Sequence, residues 1–208
     1  MNKADRIHTL FLDVGGVLLT NGWDRKARSR AAREFDLDNE EFQERHHMVF
    51  DSYEKDKFSL DEYLNLVVFH RDRPFNREDF TKFMFEQSRA LPGMINLIRK
   101  LKAHYGLKTV VVSNEGRELA NYRIKRFMLM EFIDLFIFSC FVQFRKPEAG
   151  IFGIAVGVSQ ADPRHVVYLD DREMFVKVAQ SLGIAGIHHL RYGSTRAALA
   201  EMGLRLLD

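Results

Sequence analysis

Cysteine is nearly absent, with Cys140 the single one in 208 residues. No internal disulfide is possible, so the fold must rest on its own core, and a reducing compartment, the cytoplasm, is the expected setting. Charge of one sign is lacking too. Thirty-one Lys and Arg stand against 29 Asp and Glu, a formal net charge of +2, and the two signs are interspersed, without the basic stripe that a nucleic-acid binder needs. Between Asp5 and Asp13 there is no long apolar core, which argues against a signal peptide. The longest apolar stretch, residues 127–144 (FMLMEFIDLFIFSCFVQF), carries Glu131 and Asp134 inside it, where charge is costly in lipid. It reads as a helix end, a turn and a buried strand, and no membrane association is expected. Only four prolines punctuate the chain, and no repeat or low-complexity tract is visible.

What is present is apolar residue in quantity, 46% of the chain, enough for a sizeable core in one domain or in one domain carrying a large insert. Strand-like runs fall at Thr9–Leu12, at 108–112 (KTVVV), at Leu135–Phe138, at 166–169 (VVYL) and at 186–189. Helical patterns separate most of them, at 94–105, 118–128, 150–156, 173–182 and 195–202, and Gly106 and Gly183 read as helix C-caps. Apolar strands alternating with helices predict an α/β protein with a parallel sheet covered on both faces. The stretch from 21 to 90 breaks the alternation. It is rich in charge and aromatics, Asp38 and Asn76 can cap helices, Ser59 to Glu62 is a capping-box pattern, and nothing in it reads as a strand. The expected organisation is a core of residues 1–20 and 90–208 with a helical cap at 21–89.

In an open parallel sheet, ligands sit beyond the carboxyl ends of the strands. Here the first strand runs into Asp13, the second into Ser113 and Asn114, the fourth into Asp170 and Asp171, and Arg145-Lys146-Pro147 follows shortly after the third. Each group alone has an ordinary structural use, as a turn former, an N-cap or a complement to a helix dipole. Together, at one sheet edge, they suit phosphoryl transfer. Mg²⁺ takes hard oxygen ligands, commonly one or two carboxylates with waters and a substrate phosphate. Asp13 and Asp171 can supply the carboxylates and the Gly15 carbonyl a third oxygen. Asp13 beside a dication stays ionised and can attack phosphorus. Lys146 would balance charge, and Ser113 with the amides near Asn114 would bind the other phosphoryl oxygens. Gly15 and Gly16 would let backbone approach the phosphoryl group.

These stretches resemble the four motifs of the haloacid dehalogenase superfamily, in order: FLDVGGVLL, VVVSNEG, FRKPEAGIF and VVYLDDREMFVKVAQSLGI, across about residues 9–189. The resemblance implies a Rossmann-like core, Mg²⁺, and most often phosphatase activity through an aspartyl-phosphate. It implies Asp13 as nucleophile and metal ligand, Gly15 and Asp171 as further ligands, Asp170 as a ligand or a group beside them, Ser113 and Asn114 on the phosphate, and Lys146 balancing charge. One departure stands out. Most phosphatases of this family carry a second Asp two residues after the nucleophile, as general acid and base, where this chain has Gly15. A missing acid of this kind is worth on the order of 10²–10⁴ in rate. Some phosphatases in the branch with Asp-x-Gly at this motif are similar to this chain and are thought to act on sugar phosphates.

The leading expectation is a Mg²⁺-dependent phosphatase for a small phosphorylated metabolite, a sugar phosphate in particular. A second reading is a catalytically weak member that binds a phosphorylated ligand or a protein partner. A third is dehalogenation, against which the Asp171 pattern argues. His46-His47 and His188-His189 lack metal-site spacing, and the glycines after Asp13 do not make GxGxxG. Trp23, Asp24 and Arg25 would face a substrate at the cap entrance, or Asp24 would cap the helix that follows.

Overall fold

The computed structural model describes residues 7–206. Five strands form one wholly parallel sheet in the order β3-β2-β1-β4-β5: β1 (Thr9–Leu12), β2 (Lys108–Ser113), β3 (Leu135–Phe138), β4 (Val166–Asp170) and β5 (Ala185–His188). The first strand is central. Leu12 lies beside Val111 of β2 and Leu169 of β4, and the Asp13 N–H donates to the Leu169 carbonyl at 2.9 Å. Burial on both sides is why these strands read as unbroken apolar runs. Leu10 and Leu12 enter the core on one face, with Val111, Val167 and Leu169. Phe11 enters the core on the other, with Val110, Val112 and Tyr168.

Ten helices complete the described chain: α1 (Arg25–Glu34), α2 (Asn39–Glu54), α3 (Leu60–Val67), α4 (Arg77–Glu86), α5 (Pro92–Tyr105), α6 (Arg117–Arg126), α7 (Ser139–Val142), α8 (Ala149–Ser159), α9 (Glu173–Ser181) and α10 (Tyr192–Glu201). The result is an α/β, Rossmann-like fold. Gly106 ends α5 in the left-handed conformation, as its place after the helical run suggested. Pro92 opens α5 two residues earlier than the apolar pattern predicted, since proline suits the first helical turn.

The four helices α1 to α4 lie between β1 and α5 and have their own core, in which Phe42, Phe80 and Trp23 meet edge-to-face. Asp24, Asp38 and Asn76 each accept a backbone N–H at a helix start, and Ser59 and Glu62 form the full capping box. The chain leaves the sheet layer and returns to it side by side. The Thr20 N–H donates to the Arg89 carbonyl at 2.8 Å, and the Leu91 N–H to Leu18 at 2.9 Å.

Among the described residues no helix is long and apolar enough to cross a membrane. Residues 127–144 divide into the end of α6, a 3₁₀ turn at Leu129–Glu131, β3 and the short α7. Glu131 pairs with Arg99 at 2.7 Å and Asp134 with Lys102 at 2.6 Å. The strand ends at Phe138, where its expected span ended, and SCFV turns into α7, whose Ser139 Oγ accepts the Glu115 N–H at 3.0 Å.

Candidate active site

At the carboxyl ends of the strands the structure brings together Asp13, Ser113, Asn114, Lys146, Asp170 and Asp171. Lys146 is the hub, with 1% of its surface exposed. Its Nζ lies 3.0 Å from Asp13 Oδ1, 2.6 Å from Asp170 Oδ2 and 3.0 Å from the Tyr168 hydroxyl. Burial alone would lower the pKa of this ammonium, but Asp13 and Asp170 beside it outweigh that and hold it above its usual value. Burial raises the Asp13 carboxyl to about 7, opposed by Lys146 and assisted by the charge of Asp170. Three carboxylates around one ammonium leave negative charge in excess.

One carboxylate oxygen each from Asp13, Asp170 and Asp171 falls within 4.8 Å of the others. Their remaining bonds differ. Both oxygens of Asp170 are engaged, Oδ2 by Lys146 and the Tyr168 hydroxyl and Oδ1 by the Arg172 N–H at 2.7 Å. Asp171 Oδ2 accepts from Asn21 Nδ2 at 2.9 Å, while its Oδ1 is buried with no hydrogen-bond partner. The Gly15 carbonyl accepts no hydrogen bond from the described residues. An orphaned carboxylate oxygen and a free carbonyl beside an excess of negative charge are what a hard cation requires.

The two glycines divide the work differently from the expectation that both admit a phosphoryl group. Gly16 has φ +74, and a Cβ on it would lie 2.3 Å from Asp171 Oδ2. It is Asp171 that needs this clearance. A Cβ on Gly15 would meet Asn21 Oδ1 at 3.0 Å, so Asn21 stands where a longer side chain at Gly15 would extend.

The loop after β2 is also more structural than expected. The Asn114 side chain is consumed by the Lys146 backbone, donating to its carbonyl at 2.9 Å and accepting its N–H at 2.8 Å. Its amide thus positions the lysine, through its oxygen and one of its two N–H groups. Ser113 Oγ lies near Asp13 and 3.5 Å from Glu115 Oε1. Glu115 is buried against Arg123, which also donates to Ser88 Oγ at 3.0 Å, the Asn21 carbonyl at 3.0 Å and the Thr20 carbonyl at 3.3 Å. One guanidinium thereby ties the departing and returning chain to the loop that carries Ser113.

Sequence reasoning missed Asn21, Tyr168 and Arg123. Tyr168 left a signal, a hydroxyl inside an apolar strand two residues before Asp170. Arg123 left none, since an arginine inside an amphipathic helix ordinarily faces water. The histidine pairs form no metal cluster among the described residues. His188 Nε2 bonds the Asp171 carbonyl at 3.0 Å and His189 Nδ1 the Thr195 hydroxyl at 2.7 Å.

Over this edge lies a cavity of about 600 Å³, floored by Asp13, Ser113 and Lys146 and walled by α1 and α2 residues that include Arg28, His46 and Glu54, a size suited to a small molecule. Ion pairs fasten the end of α2 to the sheet layer: Arg145 holds Glu54 at 2.7 Å, Lys55 holds Glu148 at 2.8 Å and Arg117 holds Asp56 at 2.7 Å.

Comparison with known proteins bears on the family and the fold. The haloacid dehalogenase-like hydrolase family matches residues 7–183. Among solved structures, a HAD family enzyme from Bacteroides thetaiotaomicron is 21% identical, with 88% of this chain and 93% of that one covered at a TM-score of 0.77. The same enzyme in complex with magnesium and inorganic phosphate aligns at 0.72 over 87% and 93%. A predicted HAD-like family hydrolase from Porphyromonas gingivalis is 18% identical over 97% and 99%, at 0.74. An L-2-haloacid dehalogenase aligns at 0.64 with 15% identity, over 87% and 85%. At these identities the likeness concerns the fold. No curated protein matches the chain.

Proposed function

Since the chain belongs to the haloacid dehalogenase-like hydrolases, we propose that it is a Mg²⁺-dependent phosphatase of a small phosphorylated metabolite, with the helices α1 to α4 as its cap. The observation that carries this reading is the orphaned Asp171 Oδ1 beside Asp13, in a buried site whose three carboxylates outnumber its one lysine. Asp13, Asp171 and the Gly15 carbonyl would hold the cation, a donor set of hard oxygens that suits Mg²⁺. Bound there, Mg²⁺ would neutralise charge on the phosphoryl oxygens and keep Asp13 ionised. Further support comes from the related enzyme solved with magnesium and inorganic phosphate.

In this reading the Asp13 carboxylate attacks phosphorus. A bond forms from its oxygen to phosphorus, the bond from phosphorus to the substrate oxygen breaks, and water then hydrolyses the aspartyl-phosphate to phosphate and free Asp13. Lys146 screens Asp13 and the transferring group, and Asp170 with Tyr168 holds the lysine in place. Ser113 hydrogen-bonds a phosphoryl oxygen, and Asn114 acts through the Lys146 backbone. No acid stands at Gly15, Asn21 next to it is an amide, and Glu115 and Glu54 are held by Arg123 and Arg145. Substrates whose leaving oxygen departs without a proton are therefore favoured, anomeric sugar phosphates among them. The buried Cys140, its thiol pushed up to about 12 by burial, takes no part, and a cytoplasmic setting suits it.

Phosphate release from a panel of phosphomonoesters, with Mg²⁺ and with EDTA, tests the proposal. Turnover that needs the metal and disappears in Asp13→Asn is expected. Halide release from 2-haloacids in the presence of EDTA, without phosphatase activity, would replace this reading with dehalogenation, and ligand binding without turnover would replace it with a binding role.

A further inference from the structure

The cavity has a second polar end in the helical layer, away from the three aspartates. Arg28, on α1, lines it with only 8% of its surface exposed. Nη1 donates to the Trp23 carbonyl at 2.6 Å and Nε to Gln43 Oε1 at 2.9 Å, both neutral acceptors. Two carboxylates act on the guanidinium from beyond pairing distance, Asp24 and Glu54. Asp24 caps α1 through the Ala27 N–H at 2.7 Å, and Glu54 is held by Arg145. Among the described residues Arg28 has no ion-pair partner, a costly state for a buried cation.

Beside it, a chain of hydrogen bonds fixes the tautomer of His46. Trp23 Nε1 can only donate and lies 2.9 Å from the Tyr63 hydroxyl, so the Tyr63 oxygen accepts. Fully buried and with no other acceptor among the described residues, the Tyr63 hydroxyl directs its proton to His46 Nδ1 at 2.8 Å. His46 must accept there, which puts its own proton on Nε2, and burial keeps the ring neutral by lowering its pKa to about 3. The Nε2–H has no partner among the described residues, and His46 lines the same cavity. This wall therefore offers a guanidinium without an ion-pair partner and an N–H donor, and neither can accept.

We propose that the substrate carries a carboxylate at the end remote from its phosphoryl group, and that Arg28 and the His46 Nε2–H bind it. The proposal rests on the phosphatase reading for the phosphoryl end. A guanidinium fork matches a carboxylate in both shape and charge, and the same contact gives a neutral hydroxyl much less. Arg28 and His46 would thus set specificity, selecting phosphorylated acids over the corresponding phosphorylated alcohols.

Matched probes test this: 6-phosphogluconate against glucitol 6-phosphate, and 3-phosphoglycerate against glycerol 3-phosphate. Each pair differs only in a carboxylate replacing a hydroxymethyl group, and the two pairs differ in reach. In the wild type the acid of at least one pair is expected to exceed its alcohol by about 10- to 100-fold in kcat/KM, mainly through KM. Arg28→Gln should bring that ratio to within about threefold, and Arg28→Lys should restore part of it. A wild-type ratio near one in both pairs overturns the proposal, as does a preference that survives Arg28→Gln or an equal fall for acid and alcohol in that variant. Turnover of p-nitrophenyl phosphate reports on the phosphatase reading separately. If that fails, or if these primary-alcohol phosphates turn over too slowly to compare, the binding of each pair to Asp13→Asn with Mg²⁺, followed by calorimetry, still decides: tighter binding of the acid supports the proposal, and equal or absent binding refutes it.

Discussion

Replacing Arg123 by methionine removes the guanidinium that joins both ends of the helical insert to the Ser113 loop. Arg123 and Glu115 are 1% and 4% exposed, so Glu115 is left as a buried carboxylate without a counter-ion, while the Thr20 and Asn21 carbonyls and Ser88 Oγ each lose a donor. Breaking a buried pair in this way costs about 3–5 kcal/mol, and the abandoned carbonyls push towards the upper figure. For a chain of this length each kcal/mol shifts Tm by about 2–4 °C, so a fall of roughly 6–20 °C is expected by calorimetry, and the loss of free energy itself by urea titration. The loss should also depend on pH in a stated direction. Burial already raises the Glu115 carboxyl above its ordinary value, and removing Arg123 raises it further. The folded variant then holds a proton that the unfolded chain releases, so its stability falls as pH rises above the unfolded carboxylate range. The deficit against wild type should be larger at pH 8 than at pH 5. Arg123→Met with Glu115→Met should cost less than Arg123→Met alone, by about 1–3 kcal/mol. A loss below 1 kcal/mol, a deficit that does not change with pH, or strict additivity in the double variant would refute the reasoning.

Three further outcomes are expected. Mg²⁺ should raise Tm by binding the native state, and because the Asp13 carboxyl stands at about 7 without a cation, the increment should grow as pH rises through that value. Asp171→Ala should remove most of it, and an undiminished increment in that variant would place the ion elsewhere. Log kcat/KM across phosphomonoesters should fall steeply as the leaving-group pKa rises. Gly15→Asp should flatten that slope, provided Asn21 moves from its place 3.0 Å from the new Cβ. An unsloped wild type in which chemistry limits the rate means that another acid is present. Gly16→Ala would drive a methyl against Asp171 at a backbone angle that only glycine holds easily. It should weaken the Mg²⁺ response as well as stability, and an unchanged metal response there would show that Asp171 tolerates the displacement.

The periodicity of apolar residues determined the parallel sheet by itself. Runs such as KTVVV and VVYL have no polar alternation because both faces are covered, and burial of that kind is written into every residue of a strand. The helices between β1 and α5 were legible for a similarly local reason, since Asp38, Ser59 and Asn76 cap through bonds to residues three positions ahead. Asp13, Ser113 and the Asp170-Asp171 pair could be expected at one edge because strand direction carries the residues that end parallel strands to the same side, and Lys146 because it follows the third strand at a short distance. What needed the tertiary structure were partnerships across long separations in the chain. Arg123 reaches Thr20 and Asn21, Asn21 reaches Asp171 across 150 positions, and Asn114 closes on the Lys146 backbone. The lone guanidinium of Arg28 and the fixed proton of His46 belong to the same class. A hydrogen-bond donor shows in a sequence as a residue type, but whether it has a partner depends on which side chains packing brings within about 3 Å of it, and no local pattern along the chain encodes that.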